Sequence, residues 1–168
     1  MIAALTLPCE LALAGYRLRR ATADDLPALI ALLADDPIAG ARGDTADAPA
    51  TSDYEAALAD IIADPSNDVL VAINARAAIA ATMQLTRIPG LARRGATRLL
   101  IEAVRVGRDH RSAGLGTTIM RWAMGPAATA TGSSLVQLTS DAQRLEAHRF
   151  YERLGFVATH QGFKYHVR

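Results

Sequence analysis

The sequence predicts an α/β sandwich, an α+β arrangement on a mixed, mostly antiparallel sheet, and three observations carry that reading. Strand-like and helix-like stretches follow one another as strand, two helices, three strands, helix, strand, helix, two strands. The apolar runs at 69–73 and 78–86 are separated only by Asn74-Ala75-Arg76-Ala77, a turn short enough to require an antiparallel pair. Residues 98–107 are apolar on both faces apart from Arg98, Glu102 and Arg105, the pattern of a central strand covered on both sides.

Length and composition bound the rest. A chain of 168 residues suits one domain, read here as 15–168 behind an N-terminal tail at 1–14. That tail is apolar, but it has no basic region and carries Glu10, so it does not read as a signal peptide. A formal net charge of +1 supplies no global field to draw in nucleic acid or an anionic membrane. No run of about 18 apolar residues exists to span a bilayer. The lone Cys9 has no intramolecular partner, which fits a reducing cytoplasm. His110, His148, His160 and His166 lack metal-ligand spacing, and no metal is expected.

Each element has its own signals. Gly15-Tyr16-Arg17-Leu18-Arg19-Arg20 alternates as a half-buried strand. Thr22, Asp24 and Asp25 precede Leu26, Leu29, Ile30, Leu32 and Leu33, with Pro27 tolerated in a first turn, so a helix starts near residue 23 and ends before Pro37. Residues 39–50 lack periodicity and read as a loop rather than a domain linker. Thr51 or Ser52 caps a second helix that ends before Pro65. The connection from Ile88 to Gly95 contains the adjacent Arg93 and Arg94, which suit an acidic acceptor or a cofactor phosphate as well as a solvated loop or a subunit contact. After residue 107, Leu115, Ile119, Trp122 and Ala123 recur at helical spacing, and Gly125-Pro126 should break or kink that helix. Residues 135–139 form a short strand, Ser140-Asp141-Ala142-Gln143 reads as a capping box, and Gly155-Phe156 closes the following helix as a left-handed cap. Residues 156–159 and 163–167 read as closing strands.

Two segments carry chemistry. Arg111-Ser112-Ala113-Gly114-Leu115-Gly116-Thr117 joins a strand to a helix start, where amides without intrahelical partners and a partial positive charge attract anions. Ala147-His148-Arg149-Phe150-Tyr151-Glu152-Arg153-Leu154-Gly155-Phe156 places a tyrosine near the end of a helix. Together, about thirty residues apart with a strand between them, they resemble the GNAT superfamily of acyl-CoA-dependent N-acetyltransferases. The first fits its Arg/Gln-x-x-Gly-x-Gly/Ala loop and the second its C-terminal helix signature, so the resemblance covers nearly the whole of 15–168.

The resemblance implies acetyl transfer from acetyl-CoA, as cosubstrate, to a primary amine of a small molecule, by direct attack in a ternary complex on a fold splayed at its central strand. It implies that the CoA pyrophosphate meets the Arg111, Ser112, Ala113, Gly114, Leu115, Gly116 and Thr117 loop. The main chain of Val104, Arg105 and Val106 is implied to pair with the pantetheine arm. Tyr151 resembles the family's general acid, although its spacing alone equally describes a core aromatic. Glu102, with the parity of Val104 and Val106, is the candidate base, or else the ion-pair partner of Arg98 or Arg105. Arg144 stands where many members have an asparagine that contacts the cofactor; it meets a CoA phosphate or is solvated. A non-catalytic acyl-CoA sensor and a protein or peptide N-acetyltransferase are the alternatives. The resemblance also implies a homodimer.

Overall fold

The computed structural model describes residues 1–36 and 51–167. These fall into two compact units, Met1–Gln137 and Leu138–Arg168. The loop expected at 39–50 lies outside the described residues.

Six strands form one sheet in sequence order: β1 (Cys9–Glu10), β2 (Tyr16–Arg20), β3 (Asn67–Asn74), β4 (Ile79–Ile88), β5 (Arg98–Val106) and β6 (Leu135–Leu138). From β1 to β5 each consecutive pair is antiparallel. The expected pair around residues 74–77 is present, extended by two residues at either outer end. β5 is the penultimate strand of this sheet rather than its centre.

Val69 and Val71 pair with Gln84 and Thr82, so these four side chains share a face. On it pack α1 (Leu26–Ala34) and α2 (Thr51–Ala63), through Leu26, Leu29, Ile30 and Leu58. The opposite face carries Leu70, Met83, Leu85, Leu99 and Ile101, all fully buried. There α3 (Leu115–Trp122) packs against β5 and buries Leu115, Ile119 and Met120. The start of α1 follows its sequence signals. A 3-10 turn, Ala23–Asp25, carries a reciprocal Thr22–Asp25 capping box, and Pro27 occupies the first helical turn. Arg19 grips the same Asp25 carboxylate with two hydrogen bonds of 2.6 and 2.8 Å and holds its pKa below the usual range.

Four expectations need correction. Residues 1–14 are not a tail: Ile2, Leu5 and Leu11 are buried, β1 pairs with β2, and Arg20 Nη2 donates to the Ile2 carbonyl at 3.0 Å. Apolar residues without period were enough to join a core. Pro126 does not break its helix, because a π turn at Ala123–Ala127 absorbs the missing donor before the helix resumes at Ala128–Ala130. In the second unit, α4 (Leu145–Arg153) begins five residues after Ser140. Its Ser140 Oγ is buried without a hydrogen bond, and Asp141 Oδ1 instead takes the Gln143 amide at 2.8 Å. Finally, 156–159 and 163–167 form no strand; Val157, Phe163, Tyr165 and Val167 are 78–91% exposed.

Candidate active site

The site is built where β5 ends. Along β5 the register slips between Thr82 and Gln84: Gln84 faces Glu102, but Thr82 faces Arg105, so two residues, Ala103 and Val104, oppose Met83. Ala103 takes φ +49° to accommodate the extra residue. A strand alternates sides strictly, so without the bulge Arg105 would face away from Glu102. With it, Arg98, Glu102 and Arg105 lie on one face, while Leu99, Ile101 and Val106 lie on the other. The expectation that Glu102 shares its side with Val104 and Val106 therefore fails, since a period of two cannot foresee an inserted residue.

Glu102 is exposed and has no ion-pair partner among the described residues. Arg98 reaches Gln137 Oε1 at 3.5 Å, and Arg105 pairs with Asp36 at 3.4 Å. Neither arginine takes the carboxylate, which leaves Glu102 open to solvent.

Beyond Val106 the chain makes a 3-10 turn, Arg108–His110, and then a tight turn in which Ser112 and Gly114 adopt φ of +62° and +85°. Gly114 is the N-cap of α3 and has no side chain to satisfy the first amides. The first amide to reach a carbonyl is that of Thr118, bonded to Gly114 O at 3.0 Å. The N–H groups of Leu115, Gly116 and Thr117 thus precede the intrahelical ladder. That is a cradle an anion fits. Arg111 is tied down rather than aimed into it: its Nε donates to Val106 O at 3.0 Å and its Nη2 to Asp35 Oδ2 at 2.7 Å. Arg105 Nη1 similarly donates to Val104 O at 2.9 Å. His110, unassigned by sequence, holds the turn through Tyr16 Oη at 2.9 Å from its Nδ1. Two side chains 94 positions apart left no sequence signal for this contact.

In the second unit, Arg144 is the N-cap of α4 and Tyr151 lies two turns further along it. The Tyr151 ring is edge-on to Phe156, with centroids 5.9 Å apart, and its carbonyl accepts the Phe156 amide at 3.1 Å. Gly155, at φ +96°, makes that return possible. The predicted C-terminal cap is therefore present, and it brings Phe156 back against the tyrosine ring. Among the described residues no cluster of three or more His, Cys, Asp or Glu has metal-binding geometry, and no helix is long and apolar enough to cross a membrane.

The sequence pattern of the acetyltransferase (GNAT) family matches residues 16–156, a span that contains the bulged strand, the amide cradle and the tyrosine helix. The chain belongs to that family. Among solved structures, a transcriptional regulator from Bacillus halodurans C-125 is 38% identical with a TM-score of 0.84, over 90% of this chain and 99% of that one. A putative acetyltransferase from Agrobacterium tumefaciens is 28% identical with a TM-score of 0.73, over 89% and 99%. Glucosamine-6-phosphate N-acetyltransferase from Arabidopsis thaliana shares the fold at 18% identity, with a TM-score of 0.71 over 91% and 99%. No curated protein sequence matches the chain. Membership of this family supports acyl transfer as the general activity.

Proposed function

We propose that the protein transfers acetyl from acetyl-CoA to a primary amine of a small molecule by direct attack in a ternary complex. The observation that carries this reading is the run of unpaired amides from Leu115 to Thr117 behind a left-handed Gly114, reached directly from a bulged strand that bears an unpaired carboxylate. The amides of Ser112 to Thr117 hold the pyrophosphate, and the edge of Val104, Arg105 and Val106 receives the pantetheine amides. The carbonyls of Val104 and Val106 already accept one arginine hydrogen bond each, and each retains a second lone pair.

In the proposed reaction Glu102 takes a proton from the acceptor ammonium, directly or through water. The amine nitrogen then attacks the thioester carbonyl carbon, so that a C–N bond forms and the C–S bond breaks. Tyr151 donates its phenolic proton to the departing thiolate and regains a proton, through water, from the acylated nitrogen as the amide forms, and Arg144 contributes charge toward a CoA phosphate. Burial pushes the Cys9 thiol up in pKa, which disfavours a thiolate and supports transfer without a covalent enzyme intermediate. The exposed Val157, Phe163, Tyr165 and Val167 support a homodimer as part of the same reading. The absence of a strong basic balance and the lone cysteine support a cytoplasmic small-molecule enzyme.

Free-thiol release from acetyl-CoA across a panel of amines tests the proposal. Tyr151→Phe and Glu102→Gln should each lower kcat/KM by about 10²–10⁴-fold. A Tyr151→Phe rate equal to the unaltered protein at every pH removes the tyrosine from the acid role. The neighbour named a transcriptional regulator favours one second reading, an acyl-CoA-binding sensor without turnover. Calorimetric binding of acetyl-CoA without thiol release on any amine would establish it.

A further inference from the structure

An apolar cavity of about 100 Å³ lies between α1, α2 and the bulged strand. Leu29, Leu58 and Val69 form buried parts of its wall, and Gln84 and Ala103 stand half-buried at its edge. No charged residue lines it among the described residues. Three lining residues carry polar groups, Tyr54, Thr82 and Gln84; Thr82 Oγ1 donates to Leu70 O at 3.0 Å, and Gln84 Nε2 to Asn67 Oδ1 at 3.1 Å.

The position of the cavity matters as much as its chemistry. Gln84 is the direct cross-strand partner of Glu102, so the carboxylate rises from the same face next to the cavity's edge. The bulge residue Ala103 is both a lining residue and the neighbour of Glu102, and its small side chain leaves the space open. An apolar hole too small for a whole substrate, set beside a solvent-accessible base, is suited to one part of an amine.

We propose that this cavity seats the hydrocarbon side of the acceptor, with the nitrogen at the edge beside Glu102. The inference rests on the acyl-transfer reading above and narrows it to a substrate class. An apolar cavity of about 150 Å³ accepts a benzene ring, so this smaller one takes an alkyl group of about three or four carbons. The acceptor is a primary amine with a short aliphatic chain, and not an aminosugar or a polyamine, whose several hydroxyl or ammonium groups would be stripped of water against a mostly apolar wall.

The experiment is a KM series on the unaltered protein, by thiol release, with ethylamine, propylamine, butylamine, pentylamine, phenethylamine, spermidine and glucosamine. KM should fall roughly fourfold for each methylene added up to butylamine and then level or rise. Leu58→Phe, which fills the cavity, should raise KM for butylamine at least tenfold while leaving KM for acetyl-CoA within twofold. Leu58→Ala, which enlarges it, should move the optimum to phenethylamine. A flat alkyl series, or preference for spermidine or glucosamine, overturns the cavity assignment and leaves the acetyltransferase reading standing. No thiol release on any amine, with acetyl-CoA bound in calorimetry, overturns both. The alkyl series on the unaltered chain decides the matter even if a Leu58 variant fails to fold.

Discussion

Asp35, at the end of α1, holds Arg111 at 2.7 Å through Oδ2 while its Oδ1 takes Arg108 at 2.6 Å. Because Arg111 also donates to Val106 O, the arginine ties the end of β5 and the end of α1 to the start of the amide cradle. Its Nε and Nη2 are both engaged by the protein, while Asp35 divides its one charge between two arginines, so the contribution of Arg111 to anion binding is chiefly positional. Both arginines are half-exposed or more, and such ion pairs are worth at most about 1 kcal/mol. Arg111→Ala should therefore weaken CoA binding by less than about tenfold in calorimetry, with little change in melting temperature. A loss beyond a hundredfold would make Arg111 a phosphate ligand instead of a tether.

Ala103 stores strain at the bulge, since a residue with a Cβ at φ +49° pays roughly 1–2 kcal/mol. Glycine relieves that strain but adds freedom to the unfolded chain, so Ala103→Gly should unfold in denaturant within about 1 kcal/mol of the original. Valine, branched at Cβ, should cost at least about 2 kcal/mol, because its bulk resists positive φ. Equal stabilities for the two variants would show that the backbone at 103 relaxes out of the bulge.

The bulge also marks the boundary of what was legible. Periodicity and turn chemistry are local, and they located β3, β4, β5, α2 and the Gly155 cap to within a few residues. The glycine loop was legible for the same reason, because Gly114 and the helix start are contiguous. The side of Glu102 was not, since one inserted residue reverses parity without altering composition. The fate of residues 1–14 was equally hidden: Ile2 and Leu5 are core by virtue of what Arg20 and β2 do, and those partners are more than ten positions away. The void between α1 and α2 was invisible because a cavity is a relation among Leu29, Leu58 and Ala103, and none of the three is unusual in its own segment.

Cys9 gives a test of the direct-attack mechanism. Its thiol is half-buried on β1, and burial raises its pKa, so it is protonated at neutral pH and slow toward alkylating reagents. Iodoacetamide should label the unaltered protein only slowly at neutral pH, since only thiolates alkylate readily, and Cys9→Ala should retain acetyl transfer within about twofold. Loss of turnover in a folded Cys9→Ala protein, measured by thiol release alongside a melting curve, would point to an acyl-cysteine route instead.

Asp25 should dominate the acid limb of stability. The hydrogen bonds from Arg19 hold its folded pKa below the ordinary carboxylate value, with further support from the Thr22 amide and hydroxyl. A depressed folded pKa means that the unfolded chain protonates first. The stabilisation is therefore complete above the unfolded value of about 3.9 and is lost as pH falls from there through the folded value. Asp68 has the opposite sign, because burial pushes its carboxyl up despite the Arg20 contact at 2.6 Å, and its contribution declines as pH rises through the interval above about 3.9. Replacing Asp25 removes the partner of a largely buried guanidinium, at a cost of about 3 kcal/mol near neutrality. For a chain of this size that lowers Tm by roughly 6–12 °C. Asp25→Asn should also flatten the fall in stability below pH about 4, since the variant has no proton to bind there. Denaturant titrations at a series of pH values decide it: parallel acid limbs for the two proteins would show that the Arg19–Asp25 pair is not what fails first in acid.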